Sequence, residues 1–132
     1  MQNTAGQFGR VTIGGMDGDS TAHDDLRATL AAMEGLIGPR IILTHTPDLF
    51  PQMPDDIALM MAGHTHRGQI RYPWGGSPVQ MSKYGEKYAC GMVEENGKIL
   101  VTSAGIGTSV LPLRFFTHPE LWLIEIRPQA AQ

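Results

Sequence analysis

Residues 57–69 read IALMMAGHTHRGQ, and this stretch decides how the rest of the chain is organised. The first six residues are apolar without polar alternation, which is typical of a strand covered on both faces in a parallel sheet. Gly63 then ends the strand, and His64 and His66 follow it directly. Because ligands of open α/β sheets bind outside the carboxyl ends of the strands, the sequence predicts a functional site here.

A second stretch, residues 41–48 with the sequence IILTHTPD, repeats this design. An apolar strand is followed by His45, and Pro47 then begins a turn. If the two strands are parallel neighbours, His45, His64 and His66 meet at one edge of the sheet. Imidazole is the commonest metal ligand among the side chains, so this convergence predicts a metal site.

The two remaining histidines have a simpler interpretation. A single histidine outside such a motif is usually a hydrogen-bonded polar residue and not a ligand. His23 lies in a predicted loop, and His118 stands beside Pro119. We therefore expect neither of them to bind a metal.

The residue types alone leave two kinds of metal site open. Three neutral imidazoles can hold one catalytic zinc ion that keeps an open coordination position. A pair of divalent ions, about 3.5–4 Å apart, needs more ligands and the negative charge of carboxylates. The carboxylate candidates are Asp17, Asp19, Asp48, Asp55 and Asp56. None of them combines a strand end with a glycine turn, as the histidines do.

The first part of the chain predicts a βαβ unit. A short strand at residues 10–13 is followed by a helix that ends at Gly38-Pro39 and by a second strand at residues 40–44. The apolar residues of this helix recur at helical spacing: Leu26, Leu30, Met33 and Ile37. A short helix is expected from Pro47.

The later part of the chain predicts hairpins. Residues 88–94 and 98–102 flank Asn96-Gly97, which is the strongest short hairpin signal. Further strands are expected at residues 69–72 and 120–126. Parallel units followed by hairpins predict an α/β fold with a mixed sheet.

The composition is that of a globular protein. The chain has 132 residues, of which 42% are apolar and 17% charged, enough for one domain or part of one. We interpret residues 1–132 as a single partial domain with loose ends at 1–8 and 128–132. The net charge of −3, without a cluster of Lys and Arg, argues against a nucleic-acid surface.

The sequence also bears on compartment and membrane. No apolar run approaches the roughly 18 residues that span a bilayer, so no membrane segment is expected in this chain. The first ten residues do not form a signal peptide, and the single Cys90 cannot make an internal disulfide. The cytoplasm is the default expectation, while a membrane-associated or exported location of the full-length protein stays open.

The strings around the histidines resemble the C-terminal half of the calcineurin-like metallophosphoesterases. LTHTPD at residues 43–48 precedes GHTH at residues 63–66, in the style of a bacterial branch whose motif reads Gly-His-Thr-His-Gly-Gly-Gln. The resemblance extends from about residue 11 to residue 127. Further strings in the style of that branch are SKYG at 82–85, YACG at 88–91, TSAGIGTS at 102–109, LPLR at 111–114 and PE at 119–120.

This resemblance implies an αββα sandwich with a dinuclear metal centre at the strand ends. Transferred by position, His45 and His64 would ligate one metal ion and His66 the other. The two ions would be divalent, from among Mn, Fe, Zn, Mg and Co, and would activate a hydroxide for attack on phosphorus. The implied activity is metal-dependent hydrolysis of a phosphoric ester.

Three motifs that precede this region in the family have no counterpart in the chain: Asp-x-His, Gly-Asp-x-x-Asp and Gly-Asn-His-Asp/Glu. They would supply the bridging aspartate, an asparagine ligand and the histidine general acid, so no catalytic residue is identified here. We therefore expect the C-terminal portion of a metallophosphoesterase, inactive alone and prone to self-association through an exposed sheet edge. The alternatives are a mononuclear zinc hydrolase and a non-catalytic dimerising or binding module.

Three residues are candidates for binding a phosphate-ester substrate. Arg67 stands where the bacterial branch usually has glycine, so it either strains a left-handed backbone or holds a phosphate oxygen. Lys83 and Tyr84, together with the loop at residues 105–109, could line the substrate side. A solvated surface charge is the simpler interpretation of Lys83.

Overall fold

The structure, a computed structural model, describes residues 3–16, 25–79 and 81–127. Helix α1 spans Leu26–Ala32, and two 3₁₀ helices span Pro47–Gln52 and His66–Gly68. The strands are β1 (Thr4–Phe8), β2 (Val11–Gly15), β3 (Arg40–Leu43), β4 (Ile57–Ala62), β5 (Gly91–Glu95) and β6 (Lys98–Thr102). Within these residues they form one mixed sheet in the order β1-β2-β3-β4-β6-β5, which confirms the predicted α/β fold class.

Strand β4 is the centre of the sheet and has the bounds that the sequence predicts. It pairs in parallel with β3 on one side and with β6 on the other, and β2 pairs in parallel with β3. The carboxyl ends of these four strands therefore lie at the same edge of the sheet. His45 and His64 follow β3 and β4 directly, so both emerge at that edge.

Antiparallel pairs occupy both sides of the parallel centre. β5 and β6 form the predicted hairpin, and Asn96 and Gly97 at its turn have φ angles of 53° and 75°. Both residues are left-handed, as a type I′ turn requires. On the other side β1 pairs with β2. The prediction of a loose segment over residues 1–8 is therefore wrong for Thr4–Phe8, because backbone hydrogen bonds to β2 hold it in the sheet.

The core lies on the face of the sheet that is covered by α1 and the 3₁₀ helix Pro47–Gln52. Ile42, Met60 and Leu100 are paired in register on three neighbouring strands and are at most 1% exposed. The side chains that cover them belong to the same cluster and include Met33, Phe50 and Tyr88. Burying each such side chain contributes roughly 1.5–3 kcal/mol, so this face stabilises the fold most.

The opposite face of the sheet is less well covered. Ile41, Leu59 and Ile99 lie there in register, and they enclose a cavity of about 440 Å³ together with residues 122–127. The predicted strand at residues 120–126 is wrong, since this segment has no strand structure and Leu123 is 98% exposed. The segment lies across a sheet face, where no free strand edge offers it ladder hydrogen bonds.

Helix α1 is shorter than the apolar spacing predicts. Asp25 caps its amino end by accepting a hydrogen bond from the Ala28 N–H at 2.8 Å, and the helix ends at Ala32. Gly35, with φ 75°, turns the chain away. Met33 still reaches the core, but Ile37 is 70% exposed, so its assignment to the apolar helix face is wrong.

Several further expectations are settled only in part. The predicted strand at residues 69–72 is reduced to one isolated bridge between Ile70 and Phe115. The expected short helix from Pro47 is confirmed as a 3₁₀ helix. Asp17, Asp19 and His23, like residues 128–132, lie outside the described residues. None of the described helices has the length and apolarity that crossing a bilayer requires.

Candidate functional site

His45 and His64 meet at the carboxyl edge of the parallel strands. Their ring centroids are 4.5 Å apart and the ring planes are tilted by 56°. The Gly63 N–H donates a hydrogen bond to the His45 carbonyl at 3.1 Å, which ties the two strand ends together. The structure therefore brings together two of the three histidines by backbone pairing alone.

The turn that carries His64 and His66 has an unusual backbone. His64, His66, Arg67 and Gln69 have φ angles of 66°, 49°, 55° and 51°, in the left-handed region that favours glycine. Each such residue costs roughly 1 kcal/mol or more and persists only where the surroundings determine it. Strained backbone of this kind clusters at functional sites, which marks the turn independently of its histidines.

Thr65 holds this turn in place. Its hydroxyl is buried and donates a hydrogen bond to the Ala89 carbonyl at 2.5 Å, far away in the sequence. Its backbone carbonyl accepts a hydrogen bond from the Gly68 N–H at 2.7 Å. The turn is thus fixed to the segment that leads into β5, and this fixation offsets the strain.

His66 lies in a surrounding that favours its neutral form. Burial and then the positive charge of Arg114 lower the pKa of His66, against the opposing effect of a hydrogen bond to the Ala104 carbonyl. A smaller lowering of the pKa comes from His45. A neutral imidazole is the form that binds a metal, and a carbonyl acceptor fixes which ring nitrogen carries the proton.

Arg114 is a site residue that the sequence reasoning missed. Its Nη2 lies 3.5 Å from Nδ1 of His66 and donates to the carbonyls of Ala104 and Gly105 at 2.7 and 2.9 Å. Nε donates to the carbonyl of Gly107 at 3.0 Å. Through these hydrogen bonds the guanidinium holds the loop after β6 close to His66. The only sequence signal for Arg114 was its place in the string LPLR.

Gln69 is a second residue whose role was missed. It is 9% exposed, and its side-chain oxygen accepts a hydrogen bond from the Ser109 N–H at 2.6 Å. Its side-chain nitrogen donates to the carbonyls of Leu111 and Leu113, both at 2.9 Å. The last residue of the histidine motif therefore fixes the loop at residues 109–113 to the turn.

The described carboxylate candidates do not join the histidines. Asp48 is 6% exposed, and its carboxylate accepts hydrogen bonds from the Ser82 hydroxyl at 2.5 Å and from the Lys83 N–H at 2.9 Å. Asp55 and Asp56 precede β4 and therefore lie at the opposite edge of the sheet. They form salt bridges there at 3.3 Å with Lys98 and at 2.6 Å with Arg40, respectively.

The metal-binding capacity of this part of the chain is consequently limited. Within residues 3–16, 25–79 and 81–127, no group of three His, Cys, Asp or Glu side chains is arranged to hold a metal ion. This geometry gives no support to a mononuclear zinc site made of His45, His64 and His66. The imidazoles fit part of a metal site, namely its neutral nitrogen ligands.

The three predicted substrate-binding residues occupy two different places. Arg67 is exposed at the left-handed turn, with φ 55° and ψ 32°, so the strained alternative for its backbone is realised. Lys83 and Tyr84 lie in the turn that is held by Asp48. The Tyr84 ring packs 5.1 Å from the ring of Tyr88, which ties it to the core.

The chain is similar in sequence to bacterial phosphoesterases. It is 30% identical over 119 residues to an uncharacterized metallophosphoesterase of Bacillus subtilis (strain 168), YkuE, covering 89% of this chain and 41% of that protein. It is 35% identical over 89 residues to the phosphodiesterase YaeI of Escherichia coli (strain K12), covering 67% of this chain and 32% of that protein. A second uncharacterized metallophosphoesterase of Bacillus subtilis, YkoQ, is 28% identical over 123 residues.

These similarities have a defined extent. The chain spans 44% or less of the length of each of these three relatives. No family model matches the chain, and no solved structure matches it either. Two of these relatives are named metallophosphoesterases and one a phosphodiesterase, and in each the similarity covers less than half of the relative's length.

Proposed function

We infer that this chain belongs to the metallophosphoesterase family, and we propose that it supplies histidine ligands to the dinuclear metal centre of a phosphoric ester hydrolase. The relatives named above support the family. The finer proposal depends on one observation, the convergence of His45 and His64 at the carboxyl edge of two parallel strands. In an open α/β sheet this edge is where ligands bind.

The proposed division of the ligands is the one that the resemblance to the calcineurin-like metallophosphoesterases implies. His45 and His64 bind one divalent ion, and His66, held by Ala104 and Arg114, binds the other. The ions come from the set Mn, Fe, Zn, Mg and Co. Neutral imidazoles carry no negative charge, and Asp48, Asp55 and Asp56 are engaged elsewhere. Within the described residues no further group of ligands is arranged around a metal, so the anionic ligands of the proposed centre come from outside them.

The chemistry of such a centre divides between the ions and the protein. When bound, a metal pair polarises the phosphoryl group and lowers the pKa of a water for attack. The chain's own residues orient the ligands, since Thr65 and Gln69 fix the strained turn on which His64 and His66 lie. Arg67 is an exposed guanidinium next to His66, suited to hold a phosphate oxygen, and we assign Lys83 and Tyr84 a weaker part in substrate binding.

We further propose that this chain corresponds to the C-terminal portion of the enzyme and is inactive alone. The fraction of each relative that it spans supports one part of this proposal, that the chain corresponds to a portion of such an enzyme. So does the placement of Asp48, Asp55 and Asp56 away from the histidines. The half-covered sheet face around Leu59 and the exposed side chain of Met92 favour self-association of the isolated chain.

The test is a metal titration of the purified chain combined with a turnover assay. We expect at most one Zn²⁺ or Mn²⁺ per chain, bound weakly, lost in His64→Ala and retained in His118→Ala, whose histidine is exposed. We expect no hydrolysis of bis-p-nitrophenyl phosphate above the metal-only blank. Binding that is unchanged in His64→Ala would contradict the ligand assignment. Metal-dependent turnover that is lost in this variant would contradict the proposed inactivity.

A further inference from the structure

A cavity of about 230 Å³ opens beside His66, on the side of the turn that faces the loop after β6. Three parts of the chain build it: the histidine turn, the residues Pro78, Val79 and Met81, and residues 109–111. Its walls are mostly apolar, and the apolar side chains are Ile70, Pro78, Val79, Met81, Val110 and Leu111. His66 lines the same cavity, so the cavity borders one of the candidate metal ligands.

Two polar side chains of the lining, those of Gln69 and Thr65, are already engaged within the protein. The Gln69 amide is bonded to the Ser109 N–H and to the carbonyls of Leu111 and Leu113. The Thr65 hydroxyl donates to the Ala89 carbonyl. A ligand entering the cavity therefore meets hydrocarbon, and a polar group there would lose its hydration without finding partners.

Hydrogen bonds hold the walls of the cavity in place. The Ser77 hydroxyl lies 3.0, 2.8 and 2.8 Å from the carbonyl oxygens of Gly68, Ile70 and Val79, which fixes the 77–79 segment to the histidine turn. Gln69 fixes the opposite wall at residues 109–113. Pre-formed apolar cavities with few polar groups at one end are typical of small-molecule sites.

A positive charge lies close to the end of the cavity at His66, outside the residues that line it. Arg114 lies 3.5 Å from His66, and the described part of the chain gives it carbonyl partners but no salt bridge with a carboxylate. Its Nη1 is buried without any hydrogen-bond partner among the described residues. A cation close to one end and hydrocarbon along the walls complement a ligand that has an anionic head and an apolar tail.

We propose that this cavity binds the apolar group of an organic phosphate ester whose phosphate lies at His66. The inference rests on the proposed function, because it takes the anionic head to be the phosphate of the substrate. The volume lies below the roughly 300–1,000 Å³ of pockets that enclose whole drug-sized ligands, so it fits one alkyl chain or ring. Such an ester can be a free molecule or a lipid in a bilayer.

The test is calorimetric titration of the 132-residue chain with inorganic phosphate and with butyl, hexyl and octyl phosphate below their micelle concentrations. Each methylene that enters the cavity should tighten binding by about two- to fourfold, and inorganic phosphate should bind most weakly. Affinity that does not depend on chain length would overturn the proposal. Vesicles of phosphatidylcholine with and without phosphatidic acid then distinguish the sources, because only a lipid substrate would give binding that requires phosphatidic acid.

Two matched variants separate the cavity from general surface hydrophobicity. Val79 lines the cavity and is 58% exposed, whereas Ile37 is 70% exposed and lies outside it. Val79→Asp should weaken octyl phosphate binding at least fivefold, and Ile37→Asp should leave it unchanged. Leu111→Asp, at a 48% exposed wall position, serves as a second cavity variant whose folding is checked by circular dichroism. Equal effects of Val79→Asp, Leu111→Asp and Ile37→Asp would overturn the proposal.

The outcomes also separate this inference from the proposed function. In one outcome, affinity still depends on the length of the alkyl chain, but neither metal nor His64→Ala affects the binding of octyl phosphate. This outcome would support the cavity proposal and contradict the phosphoesterase assignment. Metal binding that requires His64, together with no dependence on chain length, would retain the proposed function and overturn the cavity proposal.

Discussion

The rings of His45 and His64 lie with centroids 4.5 Å apart, although they follow two different strands. The parallel pairing of Leu43 with Met61 places the two strand ends side by side, and the histidines lie just beyond these residues. This pair of imidazoles is the basis of the metal site that we propose. Several measurable consequences follow from this and from the neighbouring contacts.

The first prediction concerns stabilisation by metal. A metal that binds only the folded chain raises its free energy of unfolding by RT ln(1 + [L]/Kd). We expect Zn²⁺ to raise the melting temperature of the chain, and His45→Gln and His64→Gln each to remove most of this shift. The double variant should lose little more than either single one, since both rings serve one ion. Two independent, additive losses, or a loss of similar size in His118→Gln, would contradict a shared site.

The second prediction concerns the left-handed backbone of Arg67. Replacing it by glycine removes strain at φ 55° and should raise the free energy of unfolding by about 0.5–1 kcal/mol. Arg67→Ala keeps the strain and serves as the control, with little or no gain. Urea denaturation of the three proteins measures the difference. A glycine variant no more stable than the alanine variant would show that Arg67 costs nothing in this turn.

The third prediction concerns the buried Asp48. Asp48→Ala leaves the Ser82 hydroxyl and the Lys83 N–H without their acceptor and should cost about 2–3 kcal/mol. Asp56→Ala removes a carboxylate whose side chain is 55% exposed, so its salt bridge with Arg40 should contribute about 0–1 kcal/mol. Chemical denaturation distinguishes the two. Similar losses for both variants would mean that burial of Asp48 has no special effect.

The fourth prediction concerns Gln69. Gln69→Glu keeps the shape but places a negative charge against the carbonyls of Leu111 and Leu113, which should cost about 1–3 kcal/mol. Gln7 makes comparable bonds to backbone carbonyls on the exposed surface, so Gln7→Glu is the matched control and should cost less than about 1 kcal/mol. Unfolding in urea again gives both values. A larger loss of stability in Gln7→Glu than in Gln69→Glu would contradict the role assigned to Gln69.

The fifth prediction concerns the thiol of Cys90. Burial, as the largest effect, raises the pKa of Cys90 above its ordinary value. Because the thiolate is the reactive form, alkylation by iodoacetamide should be slower than for a free thiol at pH 8 and should still rise at higher pH. The contribution of this pKa shift to the stability of the fold is fully present below the ordinary thiol pKa. That contribution is lost as the pH rises through the raised pKa of the folded chain. If Cys90 were alkylated as fast in the folded chain as in the chain unfolded in guanidinium, the raised pKa would be contradicted.

Local patterns in the sequence were sufficient for the central elements of the fold. The continuous apolar run of β4 and the Asn96-Gly97 turn gave the right strand and the right hairpin, because both depend on neighbouring residues. Apolar spacing alone failed at Ile37 and at residues 120–126. The helix ends before Ile37, and residues 120–126 lie along a sheet face without a strand edge to pair with, so both outcomes depend on the rest of the molecule.

The sequence by itself determined which residues stand at the strand ends. It therefore also determined that His45, His64 and His66 belong to one candidate site. Only the tertiary structure decided what surrounds them. Arg114 reaches His66 and Asp48 reaches Ser82 across long stretches of chain. Such contacts carry no local periodicity, because they depend on how the loops pack over the sheet and not on the residues beside them. The position of Arg114 beside His66 and the engagement of Asp48 by Ser82 are therefore properties of the folded chain alone.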